Sequence, residues 1–141
     1  MWKELRQQHA KVPWHRFLWS SMSIPKHVFI SWMALLNRLP TMDRLATWGL
    51  EVRGLCYFCQ GELETRDHLF FGCSYSKNIW KQILQLCELN REVGFWLSEL
   101  KCAIHEIKGK ALISIILSIA WKALIYHGWC ERNRRLHNQT S

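Results

Sequence analysis

Residues 56–73 read CYFCQGELETRDHLFFGC, and this stretch decides the fold. Cys56 and Cys59 form a Cys-x₂-Cys pair, with His68 and then Cys73 following in the same short segment. Three thiolates and one imidazole are a ligand set for tetrahedral zinc, and the close cysteine pair lets the backbone fold tightly around an ion. His68 and Cys73 lie about one helical turn apart, so a short helix capped by Thr65 lets both converge on the same point. Four protein ligands leave no coordination position for a reactive water. The expected role is therefore structural Zn²⁺, with metal-binding energy acting as folding energy. A redox role for the Cys56/Cys59 pair fits less well, because such pairs open a helix after a strand and no βαβ pattern surrounds this one.

Working outward from the knuckle, the chain reads as helices. Ile24-Pro25 opens one in which Phe29, Trp32, Met33 and Leu36 recur at i, i+3, i+4 and i+7, and Leu39-Pro40 closes it. Thr41 is placed to cap a short helix with Asp43 in its first turn and Gly49 just past its end, turning Leu45 and Trp48 to the core. The stretch 49–59 suits a short hairpin. Downstream, Ser74 caps a helix to about residue 88, with Ile79, Trp80, Ile83, Leu84 and Cys87 as its apolar stripe. Gly94 falls in a loop, and helices over 95–107 and 111–135 follow, the last facing the core through Leu112, Ile115, Ile116 and Ile119. The expected fold is mainly α: a small helical domain built on a Cys-Cys-His-Cys zinc knuckle, with 87–141 as a C-terminal helical extension packing on 14–86.

Composition bounds what such a domain can do. With 141 residues, 49% of them hydrophobic and nine tryptophans, the chain has the length and apolar content for one folded core. Its 19 Lys+Arg against 11 Asp+Glu give a formal +8, which draws it toward polyanions. Three thiolates and a neutral imidazole around zinc contribute −1, so about +7 remains with metal bound. The opening MWKELRQQHAKVPW lacks the apolar core of a secretory signal, so an intracellular, reducing location in nucleus or cytoplasm is expected, with thiols kept for metal. Cys87, Cys102 and Cys130 have no partner at metal spacing. The run ALISIILSIAW over 111–121 is apolar enough to raise a membrane reading, but Lys122 follows at once, and a core helix is the better expectation.

Two stretches carry a resemblance. IPKHVFISWMALLNRLPTMDRLATWGL and CYFCQGELETRDHLFFGCSYSKNIW are similar to the zinc-binding domain that follows the reverse transcriptase in plant LINE-type, non-LTR retrotransposons. The likeness covers roughly residues 14–86 and rests on Ile24-Pro25-Lys26, Trp32, Leu39-Pro40-Thr41, the four ligand positions, Glu64-Thr65, Leu69-Phe70 and Trp80. The later WCERNRR over 129–135 resembles a Trp-rich stretch found downstream of that domain. The resemblance implies a module of a mobile-element polyprotein, with reverse transcriptase or ribonuclease H domains of a parent element as neighbours. Their two-metal chemistry needs several carboxylates, and this chain has only the aspartates Asp43 and Asp67. Asp67, beside His68, is expected to serve the local helix or the ligand's outer contacts.

A non-catalytic, nucleic-acid-binding accessory role follows as the expectation, with no small-molecule substrate and no membrane. The phosphate contacts would come from Lys26, Arg38, Arg53, Arg66, Arg132, Arg134 and Arg135, without sequence preference and to RNA or DNA alike. Tyr57 and Phe58, between the first two ligands, would stack on unpaired bases or cover the metal. The alternative is a helical spacer or protein-interaction module, or a degenerate element fragment without activity.

Overall fold

Pro25 occupies the first turn of a helix, where its missing N–H is one the helix leaves unbonded anyway. The computed structural model describes residues 14–20, 23–106 and 111–140, and among the described residues that helix is the second of six. They are α1 (His15–Leu18), α2 (Pro25–Leu35), α3 (Met42–Thr47), α4 (Ser74–Leu86), α5 (Trp96–Glu106) and α6 (Leu112–Thr140), with a π-turn (His68–Gly72) between α3 and α4. Among the described residues extended pairing is limited to one antiparallel bridge, Leu55 to Leu63. The fold is mainly α, as its sequence predicts.

Three helices end in the same way. After α2, Asn37 takes a left-handed φ of 54°, its N–H reaching the Ala34 carbonyl at 3.0 Å while the Arg38 N–H reaches Met33 at 2.8 Å. This paired 5→2 and 6→1 closure is the Schellman pattern, and it stops α2 at Leu35, before the expected Leu39-Pro40. Gly49 (φ 87°) closes α3 by the same bonds, to Ala46 and from Leu50 to Leu45, as its spacing predicts. Glu88 (φ 61°) does so for α4.

The apolar stripes are rotated from their expected positions wherever helices pack closely. On α2 the buried residues are His27, Val28, Ser31 and Ala34; Phe29 is 53% exposed, and Trp32 and Met33 are half-buried. Small Ser31 and Ala34 let α6 approach, and the bulkier side chains flank the seam. On α6 the buried face is Ser114, Leu117, Ser118, Trp121, Lys122, Ile125, Trp129 and Arg132, whereas Leu112 and Ile116 are exposed. Trp48 of the α3 terminus is also exposed, and Leu45 is half-buried. On α4, Trp80 and Leu84 are buried as expected, with Ile79 at the solvent boundary.

The rotation of α6 is explained by its polar residues. Lys122 points inward, and its ammonium donates to the Phe17 carbonyl at 2.8 Å and to the hydroxyls of Ser20 and Ser23, closing the C-terminal end of α1. Burial pulls its pKa down to about 8. Ser118 adds a hydroxyl bond to the same Phe17 carbonyl. Leu112–Asn138 is long and apolar enough by composition to cross a membrane, yet this is the helix that packs on α1, α2, α4, α5 and the π-turn. The aromatic centre it covers is continuous: Phe17, Phe71 and Trp96 each lie within 6 Å of Trp121, and Trp80 meets Phe71 at 6.2 Å.

At the end of that buried face, Arg132 reaches across the domain to Glu64. Its Nη2 lies 2.7 Å from Glu64 Oε1, and its Nε donates to the same carboxylate at 3.1 and 3.2 Å. Both side chains are buried. Glu64 Oε1 also accepts the Met42 N–H at 3.0 Å, so a carboxylate 22 residues away caps α3. Thr41 stands at the expected N-cap position, but its hydroxyl is bonded to the Asp43 carboxylate. Breaking one side of a buried ion pair leaves a charge without compensation. Arg132→Met is therefore expected to lower the unfolding free energy by roughly 3–5 kcal/mol, and Glu64→Gln combined with it to recover a large part of that loss, both read from urea denaturation.

Candidate metal centre

The knuckle is a narrow hairpin whose arms meet beyond the ligands rather than over 49–59. The Cys56 N–H donates to the Glu62 carbonyl at 2.8 Å and the Glu64 N–H to the Gly54 carbonyl at 2.6 Å, flanking the Leu55–Leu63 bridge. Gly54 takes φ 81° at this point, a conformation that disfavours any side chain. Between the arms, the Phe58 N–H points at Cys56 Sγ (3.4 Å), and the Gln60 N–H returns to the Cys56 carbonyl at 2.9 Å. These bonds tighten the turn, and the buried Cys56 thiol and the exposed Cys59 thiol converge on the same point.

The other two ligands come from the π-turn. Thr65 accepts the His68 N–H at 3.1 Å, the cap its spacing predicts. An α-helical i,i+5 pair would stand about 140° apart around the axis. The Cys73 N–H instead bonds the His68 carbonyl at 2.6 Å, an i→i+5 closure that brings Cys73 back beneath His68. Leu69, Phe70 and Phe71, in the same turn, fill the core and anchor it. Cys73 then serves as N-cap of α4, one residue earlier than the expected Ser74.

The four ligand atoms lie within 4.8 Å of one another. Cys56 Sγ to Cys73 Sγ is 3.9 Å, and Cys59 Sγ to His68 Nε2 is 3.3 Å. Tetrahedral zinc with Zn–S of about 2.3 Å and Zn–N of about 2.0 Å requires edges of about 3.8 and 3.5 Å, so the cluster fits the ion. His68 presents Nε2 to the sulfurs and holds Nδ1 3.2 Å from the Glu62 carboxylate. A carboxylate on the distal nitrogen orients a ligating imidazole and strengthens it as a donor. Glu62, not Asp67, fills that place; Asp67 pairs with Arg66 at 2.9 Å. The i,i+6 spacing of Glu62 and His68 across a hairpin arm and a turn carries no recognisable signal in sequence.

Burial pushes the Cys56 thiol up to about 12 and raises that of Cys73 as well. Burial also raises Cys59, but the backbone N–H groups of Gly61 and Glu62, together with its contacts to His68 and Cys73, outweigh it and bring it down to about 6. Near neutral pH, then, Cys59 is largely thiolate, and Cys56 and Cys73 each give up a proton when zinc binds. Cys87, Cys102 and Cys130 are free thiols elsewhere on the helices.

The structure divides the expected nucleic-acid contacts into two groups. Lys26, Arg38, Arg53 and Arg134 are exposed. Arg134 is held at 2.6 Å by Glu131, whose carboxyl the Arg134 and Arg135 bonds pull down to about 2. The remaining residues make contacts within the fold, Arg132 buried and Arg66, Arg135, Tyr57 and Phe58 half-buried. Arg132 is buried on Glu64. Arg66 donates to the Ala34 and Leu35 carbonyls at the end of α2 and lies 4.5 Å from the Trp96 ring centre. Arg135 donates to the Tyr57 carbonyl and stacks on Phe58 and Tyr75 at 5.1 and 4.8 Å. Tyr57 lies against Arg132 and Phe58 against Tyr75, so both rings join the knuckle to α4 and α6 instead of standing free for bases.

Chemically the arrangement is a closed structural site: four protein ligands complete a tetrahedron. With two protons released, zinc affinity is expected to rise about 100-fold per pH unit between pH 7 and 8, measured by chelator competition. Glu62→Gln should weaken zinc binding about tenfold without unfolding the chain. Cys56→Ser or His68→Ala should abolish zinc retention and melt the helical circular dichroism around the knuckle, whereas Cys102→Ser should leave both unchanged. Equal effects of these substitutions would refute the ligand assignment.

No curated protein and no solved structure matches the chain. A family model described as zinc-binding in reverse transcriptase matches residues 1–80, a span that contains all four ligands. That match takes in more than half of the 141 residues and spans the cluster assembled by the hairpin and the π-turn. The chain belongs to the family of reverse-transcriptase zinc-binding domains.

Proposed function

We propose that this chain is a non-catalytic accessory module of a retrotransposon polyprotein, held together by structural zinc and binding RNA or DNA through phosphate contacts without sequence preference. The observation that carries the reading is charge. The chain carries a formal +8, about +7 with zinc bound, an excess that internal pairs such as Glu64–Arg132 and Glu99–Arg91 leave unchanged. Lys26, Arg38, Arg53 and Arg134 stand on the surface and are the proposed phosphate contacts. A plant LINE-type origin is supported by the order of its motifs from Ile24-Pro25-Lys26 to Trp80, and an intracellular reducing location by the free cysteines that zinc requires. The lack of an open coordination position supports a role without catalysis.

A second reading, docking onto neighbouring reverse transcriptase or ribonuclease H domains, draws on the open apolar groove between α4 and α6, floored by Ala120, Ala123 and Gly128 and walled by Ile79 and Ile83. Salt dependence separates the two. Replacing Lys26, Arg38, Arg53 and Arg134 together by Gln should weaken oligonucleotide binding and flatten its log–log salt slope by about 3–4, since each phosphate left without its cation keeps close to one counterion that binding would otherwise release. Binding that is flat in salt for the parent protein, or unchanged in the fourfold variant, would favour protein docking.

A further inference from the structure

At the junction of α1 and α2 three aromatic rings surround an open cavity of about 330 Å³ lined also by Ser20, Ser23 and Val28. Trp32 forms its inner wall. Trp19 lies 6.4 Å from it at an interplanar angle of 57°, and Phe29 lies 6.5 Å away at 65°. The outer two rings are 48% and 53% exposed, and unlike the exposed rings of Trp48 and Phe95 they stand together around one cavity.

The surroundings of this cavity are cationic. The Lys122 ammonium sits directly behind its rim, donating to Ser20 Oγ at 2.9 Å and to Ser23 Oγ. Arg16 precedes Trp19 by three residues and Lys26 precedes Phe29 by three, so each exposed ring has an exposed cation about one turn away; the Lys26 ammonium rests 5.4 Å from the Tyr126 ring centre and swings off that exposed contact to reach a phosphate. A volume at the small end of ligand sites suits one flat heterocycle, and positive charge on both flanks suits the phosphates on either side of it. The positive charge serves the phosphates of a duplex equally, but the stacking cavity does not suit one, whose bases are already stacked on each other.

We infer that the Trp19–Trp32–Phe29 cavity is a base-stacking site for single-stranded nucleic acid, with Arg16 and Lys26 holding the flanking phosphates. This deepens the proposed function, on which it rests, by adding a place and a strand preference. It also moves base recognition away from Tyr57 and Phe58, which the knuckle uses for its own packing.

The test is fluorescence anisotropy of zinc-loaded full-length protein with labelled oligo-dT, oligo-U and a random duplex of equal length, each over a salt series. Trp19→Ala combined with Phe29→Ala should weaken single-strand binding about ten- to a hundredfold at every salt concentration, leave the salt slope unchanged and leave duplex binding alone. Trp19→Phe should keep binding within about threefold, because it keeps a stacking plane. Trp19→Leu should lose it while keeping the apolar cover, and serves as the test if the alanine variant does not fold. Trp48→Ala, an exposed ring elsewhere, should have no effect. Tighter binding of oligo-U or of oligo-dT names the nucleic acid. Unchanged single-strand affinity in folded Trp19→Leu overturns this site but not phosphate binding, whereas no binding of any oligonucleotide by the parent protein overturns both.

Discussion

The Glu64 carboxylate is the point on which the rest of the structure turns. It sits at the base of the knuckle hairpin, caps α3 through the Met42 N–H, and receives the guanidinium of Arg132 from α6. A carboxylate buried this fully is tolerable only while its partners are in place. The hairpin that carries Cys56 and Cys59, the helix that precedes it and the helix that ends the chain therefore form one cooperative unit. Metal binding, which holds the hairpin, and docking of the C-terminal helix are two aspects of the same folding equilibrium.

Around that pair, arginine and aromatic side chains replace much of what would otherwise be aliphatic packing. Arg132 lies 4.7 Å from the Trp129 ring centre and 5.2 Å from that of Tyr57, Arg135 stacks on Phe58 and Tyr75, and Arg66 stacks on Trp96 while bonding the end of α2. A guanidinium is planar and weakly hydrated, so it serves as a flat packing surface and a fork of donors at once. The basic character of the chain thus has two distinct origins. Part is internal and architectural; the remainder faces solvent and sets the long-range field that attracts polyanions.

The metal cluster and the helical class were legible in the amino-acid pattern because both are local. Cys-x₂-Cys and His-x₄-Cys have ligand spacing that only a few backbone conformations satisfy, and helix periodicity and Gly49 mark their elements within a few residues. The faces of α2 and α6 were not legible. Periodicity locates a stripe of large apolar residues, but close helix approach selects small ones such as Ser31 and Ala34, and a hydrogen-bonding demand from α1 draws Lys122 and Ser118 inward. An ammonium in the middle of a helix reads as solvent-facing until the carbonyls it must satisfy are known.

The sequence by itself determined the ligand set, the mainly helical class and the excess of positive charge, since each depends on residue identity and short-range spacing. Only the tertiary structure decided which charges face solvent. Arg132 and Arg134, two residues apart on one helix, have opposite fates: one is buried on a carboxylate 68 positions away, the other exposed beside Glu131. The π-turn that closes the cluster, the Glu62 carboxylate that steadies His68 and the aromatic cavity between α1 and α2 belong to the same category. Each arises from groups brought together across turns and helices, where the cost of burying a charge or a polar group, more than any residue's own preference, selects the arrangement.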